Sequence, residues 1–236
     1  MDVKELDKWY SIKEYDPEGK ELNRILKLGK PKNKDVLVIG TYGVMSVSFK
    51  ILKNAKSVTA IHTNKKIIEY CKKKNKNIDF RTGNLAKLSF PDKTFDIIVS
   101  PWSGLHYFKN KTSVIKELKR VLKDKGILLI EESDETSEYV KILNTIVPKR
   151  KSNIKGKRAE LKLILEKHFD IKENKLRTYY YFKNLKQLKE YFEKEIIFDE
   201  NKKFIRQMEK RLDEYISKKR TLKVEEKSLF FVCRKK

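Results

Sequence analysis

The chain has 236 residues, of which 39% are hydrophobic and 38% are charged, and its formal net charge is +24. The hydrophobic fraction is sufficient for a packed core and excludes global disorder, and no apolar run approaches the roughly 20 residues of a membrane span. The excess of positive charge has two interpretations: an RNA partner, or a general preference for lysine throughout the source proteome.

The cysteines and the first residues bear on metal content and location. Cys71 and Cys233 stand far apart, without the paired spacing of a zinc site or a disulfide framework. We therefore predict two reduced thiols and no metal site. The opening residues 1–7 carry no apolar signal sequence, which makes a cytoplasmic protein the expectation.

Residues 1–30 predict two helices, separated at Asp16-Pro17. An apolar strand follows at Val36–Ile39 and ends at Gly40, and a helical pattern starts near Met45. A strand, a glycine turn and a helix in this order present backbone N–H groups and a helix N-terminus to a ligand.

Further strands are predicted to alternate with helices as far as residue 130. The strands are Ser57–Ile61, Ile78–Thr82, Phe95–Ser100 and Gly126–Ile130, and the helices are Lys65–Lys74 and Lys111–Leu122. Gly126 is predicted to be a left-handed helix cap. This alternation predicts a parallel sheet that is covered by helices on both faces.

The last hundred residues differ from this pattern. Helices are predicted at Ser137–Val147, Arg158–His168, Leu185–Phe192 and Phe204–Ile216, and strands at 169–172, Leu176–Phe182 and Leu229–Cys233. Between the first two of these helices lies a basic segment that we predict to be an exposed loop. Its phosphate-contact candidates are Lys149, Arg150, Lys151, Lys155, Lys157 and Arg158. The alternative is that they form a solvated loop without a nucleic-acid partner.

Two segments carry a family resemblance. Leu88–Ser100 and Glu117–Gly126 resemble the blocks "lpFpdesFDvvvs" and "E-x-x-R-V-L-K-P-G-G" of class I S-adenosylmethionine (SAM) dependent methyltransferases of type 11. The resemblance implies a Rossmann-like α/β sheet of seven strands, mostly parallel, with helices on both faces. Its antiparallel last strand would insert between the fifth and sixth.

The resemblance also implies how one domain, 1–236, is organised. Residues 1–34 would form an N-terminal helical lid, including Tyr10 and Tyr15, although those aromatics suit an ordinary amphipathic helix equally well. Residues 35–134 would form the cofactor-binding core, and 135–236 would supply the C-terminal helices and the last strands.

The cofactor positions implied by the resemblance are altered in this chain. Where the family has an acidic residue and then G-x-G-x-G, the sequence has Val38, Gly40, Tyr42 and Val44, with Gly43 offset by one. A side chain at Tyr42 must point away or narrow the site, because glycines there let the backbone approach the ligand.

The remaining cofactor positions lie after the next strands. His62 replaces the Asp or Glu that accepts hydrogen bonds from both ribose hydroxyls, and a neutral imidazole offers one uncharged acceptor. Asn84 replaces the Asp that pairs with the adenine amine, and its amide oxygen can still accept that bond. Leu85 and Ser100 complete the implied SAM contacts.

Substrate is expected after the fourth strand. Ser100-Pro101-Trp102 partly matches the "[DNS]-P-P-[YFW]" motif of amino-group methyltransferases, without its second proline. Trp102 and Tyr107 either contact substrate or pack under the N-terminal helix. His106 and Trp102 are the candidate catalytic residues, since imidazole titrates near neutral pH, and no assignment between them follows from the sequence.

Three functions remain open at this stage. The first is a methyltransferase that transfers the SAM methyl group to an oxygen or nitrogen of a small molecule or RNA, mainly by aligning the reactants. The second, favoured by Val38, Tyr42 and His62, is a catalytically degenerate module that binds RNA or a protein partner. The third is another use of SAM or a related nucleoside, such as aminopropyl transfer.

Overall fold

The structure is a computed structural model that describes residues 18–40, 43–102, 105, 108–146, 154–196 and 202–236. The first half of the chain forms α1 (Lys20–Gly29), β1 (Asp35–Ile39), a π-helical turn (Gly43–Val47), α2 (Ser48–Ile51), β2 (Ser57–His62), α3 (Lys65–Lys74), β3 (Asp79–Thr82) and β4 (Phe95–Ser100). The second half forms α4 (Lys111–Val121), β5 (Leu122–Ser133), α5 (Glu138–Ile146), α6 (Ile154–Glu166), β6 (Phe169–Tyr181), α7 (Leu185–Ile196), α8 (Lys202–Ser217) and β7 (Lys223–Lys235).

The seven strands form one sheet in the order β3-β2-β1-β4-β5-β7-β6. Strands β1 to β5 pair in parallel, whereas β7 runs antiparallel to both of its neighbours, β5 and β6. The predicted fold class is therefore confirmed, including the insertion of the last strand between the fifth and sixth.

The sheet is buried on both faces because successive side chains along each strand point to opposite sides. Leu128 and Ile130 of β5 belong to the cluster that packs against α4 and α6. Ile127 and Leu129 belong to the opposite cluster, which includes Ile25 of α1 and residues of α3. None of the described helices has the length and hydropathy to cross a membrane.

Two expectations about the second half of the chain are wrong. Gly126 is not a left-handed cap, because β5 begins directly at Leu122 and Gly126 lies within the strand. A Cβ at Gly126 would lie 2.9 Å from the carbonyl oxygen of Lys123, so glycine is required there by close packing. The basic segment is not a loop throughout, because α6 begins at Ile154.

The Glu117-x-x-Arg120 pair of the family-like block explains how α4 holds the loop before β4. The Arg120 guanidinium donates to the carbonyl oxygens of Leu88 (2.9 Å) and Phe90 (2.7 Å) and to a carboxylate oxygen of Asp92 (2.8 Å). It also pairs with Glu117 at 2.9 Å, whose carboxylate accepts from the Leu88 amide at 2.7 Å. Arg120 and Glu117 thereby satisfy three backbone groups of the segment before β4.

We expect Arg120→Met to lower the free energy of unfolding by about 2–3 kcal/mol, because it removes several charged hydrogen bonds to partly buried groups. Urea unfolding followed by circular dichroism measures the loss. Lys116→Met, at an exposed position of the same helix, is the matched control. An Arg120→Met loss within ~0.5 kcal/mol of the control would contradict the role of this network.

Candidate functional site

The carboxyl ends of the parallel strands form one edge of the sheet, which we call the carboxyl edge. β1 ends at Ile39, β2 at His62, β3 at Thr82 and β4 at Ser100. Ligands of open α/β sheets bind in the crevice outside such strand ends. The residues predicted for cofactor and substrate therefore lie on one edge, as far as the structure describes them.

Gly40 makes the turn at the end of β1. Its φ is +87°, a conformation that costs L-residues with a Cβ energy and that glycine adopts freely. The amide of Val44 donates to the Gly40 carbonyl oxygen at 2.9 Å, and the π-helical turn starts at Gly43. The first glycine of the altered motif thus has a backbone role, while Tyr42 lies outside the described residues.

His62 is oriented by its neighbour after β2. The Asn64 amide donates to His62 Nδ1 at 2.9 Å, and Asn64 in turn caps α3 by accepting from the Lys66 amide. Burial lowers the pKa of His62 below its usual 6.5, so the neutral ring carries its proton on Nε2. The sequence predicts one imidazole acceptor for a ribose, but in the structure Nδ1 accepts from Asn64, so Nε2–H can act only as a donor.

The segment after β3 is tied closely to β2. The Gly83 amide donates to the His62 carbonyl oxygen at 3.2 Å, and a Cβ on Gly83 would lie 2.5 Å from Ile61 Cδ1. Asn84 is exposed, and its side-chain oxygen accepts from the Ala86 amide at 2.9 Å. Leu85 is buried, with 6% of its surface exposed. The loop therefore offers an exposed amide beside an apolar wall.

The chain after β4 turns sharply under α1. Ser100 is fully buried, and Trp102 has a φ of +47°, which is strained for a residue with a Cβ and is typical of functional sites. The Trp102 indole N–H donates to a carboxylate oxygen of Glu21 at 2.9 Å, and its ring lies edge-on to Tyr139. Trp102 therefore contacts the N-terminal helix, which is one of the two alternatives for this residue, and its contact with substrate stays a prediction.

Three buried carboxyls, Glu21, Glu131 and Glu226, lie behind Trp102, and we call them the acidic cluster. They come from α1, β5 and β7 and are 4%, 1% and 0% exposed. Among the described residues, neither carboxyl oxygen of Glu131 or of Glu226 has a hydrogen-bond partner. Buried carboxyls without hydrogen-bond partners destabilise the folded chain.

The surroundings of the cluster raise the pKa values of its members. Burial raises the pKa of Glu131 well above its usual value, and the neighbouring charge of Glu21 adds to this. Burial likewise raises the pKa of Glu226, with Glu21 and Asp134 contributing. The Ser228 hydroxyl opposes the shift in the pKa of Glu131, and the Ser137 hydroxyl and the Lys227 backbone oppose that of Glu226, although none of these groups reaches hydrogen-bond geometry.

Sequence reasoning missed the acidic cluster, although one signal was present. Glu131 follows the apolar run 127–130 with no intervening turn residue, so the strand carries a carboxyl directly onto the carboxyl edge. Its partners come from positions 110 residues earlier and 95 residues later in the chain. No local pattern connects three residues at such separations.

Several predicted residues do not form part of the described site. His106, Tyr107, Tyr10, Tyr15 and residues 147–153, which include Lys149, Arg150 and Lys151, lie outside the described residues. Lys155 and Lys157 lie in α6. Arg158 pairs with Glu135 at 2.7 Å and donates to the Ser133 carbonyl oxygen at 2.9 Å. Its 13% exposed side chain already has protein partners.

The described part of the chain has no group of three or more His, Cys, Asp and Glu side chains that could hold a metal ion. Both cysteine thiols are free and buried, and burial raises the pKa of each to about 12. A thiol with so high a pKa is a poor nucleophile.

Comparison with known proteins agrees with this geometry. The family described as "Methyltransferase domain" matches residues 37–130, which run from β1 into β5. A demethylmenaquinone methyltransferase of Thermotoga maritima is 35% identical over 75 residues, covering 32% of this chain and 32% of its own. The uncharacterized methyltransferase YcgJ of Bacillus subtilis is 27% identical over 129 residues, covering 52% and 48%.

The fold extends beyond the region of sequence similarity. The crystal structure of YcgJ from Bacillus subtilis matches with a TM-score of 0.64 at 18% identity, covering 91% of this chain and 98% of that one. The chain spans about a third to a half of the length of the two curated relatives in sequence. The resemblance to class I SAM-dependent methyltransferases is thus confirmed for the family region and for the fold.

We expect His62→Glu to tighten SAM binding about tenfold relative to His62→Gln, because a carboxylate accepts charged hydrogen bonds from both ribose hydroxyls. Both variants lose the contact between Nδ1 and Asn64, so their difference isolates the charge. Isothermal titration calorimetry measures it. Equal affinities, or weaker binding by His62→Glu, would show that position 62 does not face the ribose.

The acidic cluster predicts an unusual dependence of stability on pH. Because the folded pKa of Glu226 is raised above its ordinary 4.5, the unfolded chain loses the proton first as pH rises. Stability is then full below about pH 4.5 and falls as pH rises toward the folded pKa, by on the order of 1 kcal/mol per pH unit.

Glu226→Gln removes this titration. We expect the variant to be more stable than the original chain at pH 8, and the gain to shrink at pH 5. Urea unfolding at both pH values measures it, with the exposed Glu69→Gln as the control. A variant that is less stable at pH 8, or a gain that does not change with pH, would contradict the raised pKa.

Proposed function

We propose that this protein is a SAM-dependent methyltransferase that transfers a methyl group to an oxygen or nitrogen of its substrate. The observation that carries the proposal is the carboxyl edge itself. It brings the Gly40 turn, His62 and the loop at Asn84 and Leu85 to the ends of neighbouring parallel strands. These positions correspond to those that the family resemblance assigns to the cofactor, within the matched region 37–130.

The residues present fit SAM at two of its three contact regions. The positive φ of Gly40 leaves backbone free to approach the methionine part of the molecule. The exposed Asn84 amide and the buried Leu85 suit the edge and face of an adenine. At the ribose, the Nε2–H of His62 would donate to a hydroxyl oxygen, where relatives use a carboxylate acceptor.

SAM, when bound, supplies a methyl group already activated on a sulfonium. The protein's own task is then to position the nucleophile and to exclude water. The turn at Trp102 and the first turn of α1 lie beside the end of β4, where substrate would meet the methyl group. This arrangement supports positioning by the chain and requires no strong base at His106 or elsewhere.

A second function is favoured by one observation. The Nδ1 acceptor of His62 is already used by the Asn64 amide, and the Asn84 oxygen already accepts from Ala86. A degenerate methyltransferase-like module that binds RNA or a protein partner through its basic surface would retain the fold without these acceptors. Cofactor binding separates the two functions.

We expect the purified protein to bind SAM and its demethylated product with micromolar Kd, about −8 kcal/mol. Isothermal titration calorimetry with each compound is the measurement. Gly40→Ala is the internal control, because its added Cβ strains the turn and should weaken binding at least tenfold. Absence of binding up to millimolar concentration, with and without bulk RNA, would exclude the methyltransferase proposal and leave the degenerate module.

A further inference from the structure

We propose that the acidic cluster of Glu21, Glu131 and Glu226 is a recognition site for the cationic amine of a small-molecule substrate. This inference rests on the proposed function, whose substrate it narrows to small molecules that carry a cationic amine. The ammonium has no lone pair, so it serves for recognition, and another oxygen or nitrogen of the substrate accepts the methyl group. Its parts lie on three elements that are far apart in sequence, α1, β5 and β7. A local accident of one helix or one turn therefore does not explain them.

The position of the cluster supports a role in substrate binding. Glu131 lies near the end of β5, one strand away from Ser100 at the end of β4, and Ser100 pairs with Ile130. Trp102, which follows β4, reaches Glu21 directly through its indole N–H. The cluster is therefore next to the place on the carboxyl edge where the resemblance puts the substrate.

The unsatisfied oxygens supply the second line of argument. Glu131 and Glu226 are at least 99% buried, and none of their four carboxyl oxygens has a hydrogen-bond partner within the described chain. A buried acceptor without a donor costs about 1–3 kcal/mol. An ammonium group offers several N–H donors to these oxygens, and its positive charge favours the ionised form of carboxyls that otherwise keep their protons because burial raises the pKa of each.

The local charge also selects between ligand classes. The chain as a whole carries a net charge of +24, yet this part of the edge gathers three carboxyls whose main neighbours are other acids and hydroxyls. Phosphate groups would be repelled here. The described residues hold no group of three or more His, Cys, Asp and Glu that could bind a metal ion, and an organic cation is the ligand class that we propose for these carboxyls.

One aromatic side chain lies directly beside the acidic cluster. The Trp102 indole N–H donates to a carboxylate oxygen of Glu21 at 2.9 Å, and Trp102 is partly buried. An indole next to carboxyls offers apolar contact to the alkyl part of an alkylammonium ligand and an aromatic ring to its charge.

A titration with simple probes tests this inference. The full chain is titrated with n-butylammonium chloride, with neutral n-butanol and with sodium butyrate, each in the absence and presence of the demethylated cofactor product. We expect the ammonium to bind at least tenfold tighter than the alcohol, and the butyrate not to bind. Equal binding of ammonium and alcohol would overturn the proposal.

Variants locate the binding. We expect Glu131→Gln and Glu226→Gln each to weaken ammonium binding at least fivefold, and the exposed Glu69→Gln to leave it unchanged. Circular dichroism of each variant verifies folding. Wild-type affinity in both cluster variants would overturn the proposal and would indicate that the carboxyls share protons as a purely structural group.

The two proposals fail in different ways. If the ammonium binds through the cluster but SAM does not bind, the cation site stands and the methyltransferase proposal fails. If SAM binds but the ammonium does not, the methyltransferase proposal stands and the amine inference fails. The cofactor titration and the ammonium titration therefore report on separate statements.

Discussion

The structure depends on the burial of β1 at the centre of a parallel sheet. Val36, Leu37 and Val38 have no exposed surface, and β1 pairs in parallel with β2 on one side and β4 on the other. Such pairing requires all three strands to end on the same edge. The Gly40 turn, the His62 imidazole and the turn at Trp102 are neighbours because the strands that precede them, β1, β2 and β4, run in parallel.

Carboxylates at the amino edge of the sheet have cationic partners, whereas two buried carboxyls at the carboxyl edge have none among the described residues. At the amino edge, Lys123 pairs with Asp96 at 2.9 Å and with Asp35 at 3.3 Å, so the carboxylates there have a cation within reach. At the carboxyl edge, Glu131 and Glu226 are buried without such partners. Strain and unsatisfied groups concentrated on one edge are typical of binding sites. The ion pairs of Lys123 at the amino edge stabilise the fold and offset part of the free energy lost by burying Glu131 and Glu226.

Most of the fold could be predicted from the sequence because hydrophobic periodicity and family-like blocks report local structure. The alternation of apolar strands and amphipathic helices predicts β1 to β5, and the blocks Leu88–Ser100 and Glu117–Gly126 indicate the Rossmann-like sheet. The sequence does not show how closely the Lys123 carbonyl oxygen approaches Gly126, and it therefore predicts a helix cap where the structure has a strand residue. The helix start at Ile154 was hidden by the basic composition of the surrounding segment.

Residues of the candidate site could be predicted from the sequence only where a polar side chain or a glycine comes shortly after a predicted strand. Gly40 and His62 stand directly after apolar strands, Asn84 follows Gly83 after a third strand, and the family resemblance assigns all three positions to the cofactor. The use of His62 Nδ1 by Asn64 depends on side-chain orientation, which sequence spacing does not determine. The acidic cluster depends on long-range topology, since α1, β5 and β7 meet only in the folded chain.

The most direct measurement of the central claim is a ¹H–¹⁵N NMR spectrum of the labelled protein, recorded with and without the demethylated cofactor product. If the carboxyl edge is the cofactor site, the amide signals of Gly40, His62, Asn84 and Leu85 should shift together, while those of Asp35, Asp96 and Lys123 at the amino edge remain unchanged. Shifts confined to the amino edge or to the basic helix α6, or no shifts at millimolar ligand, would contradict this account.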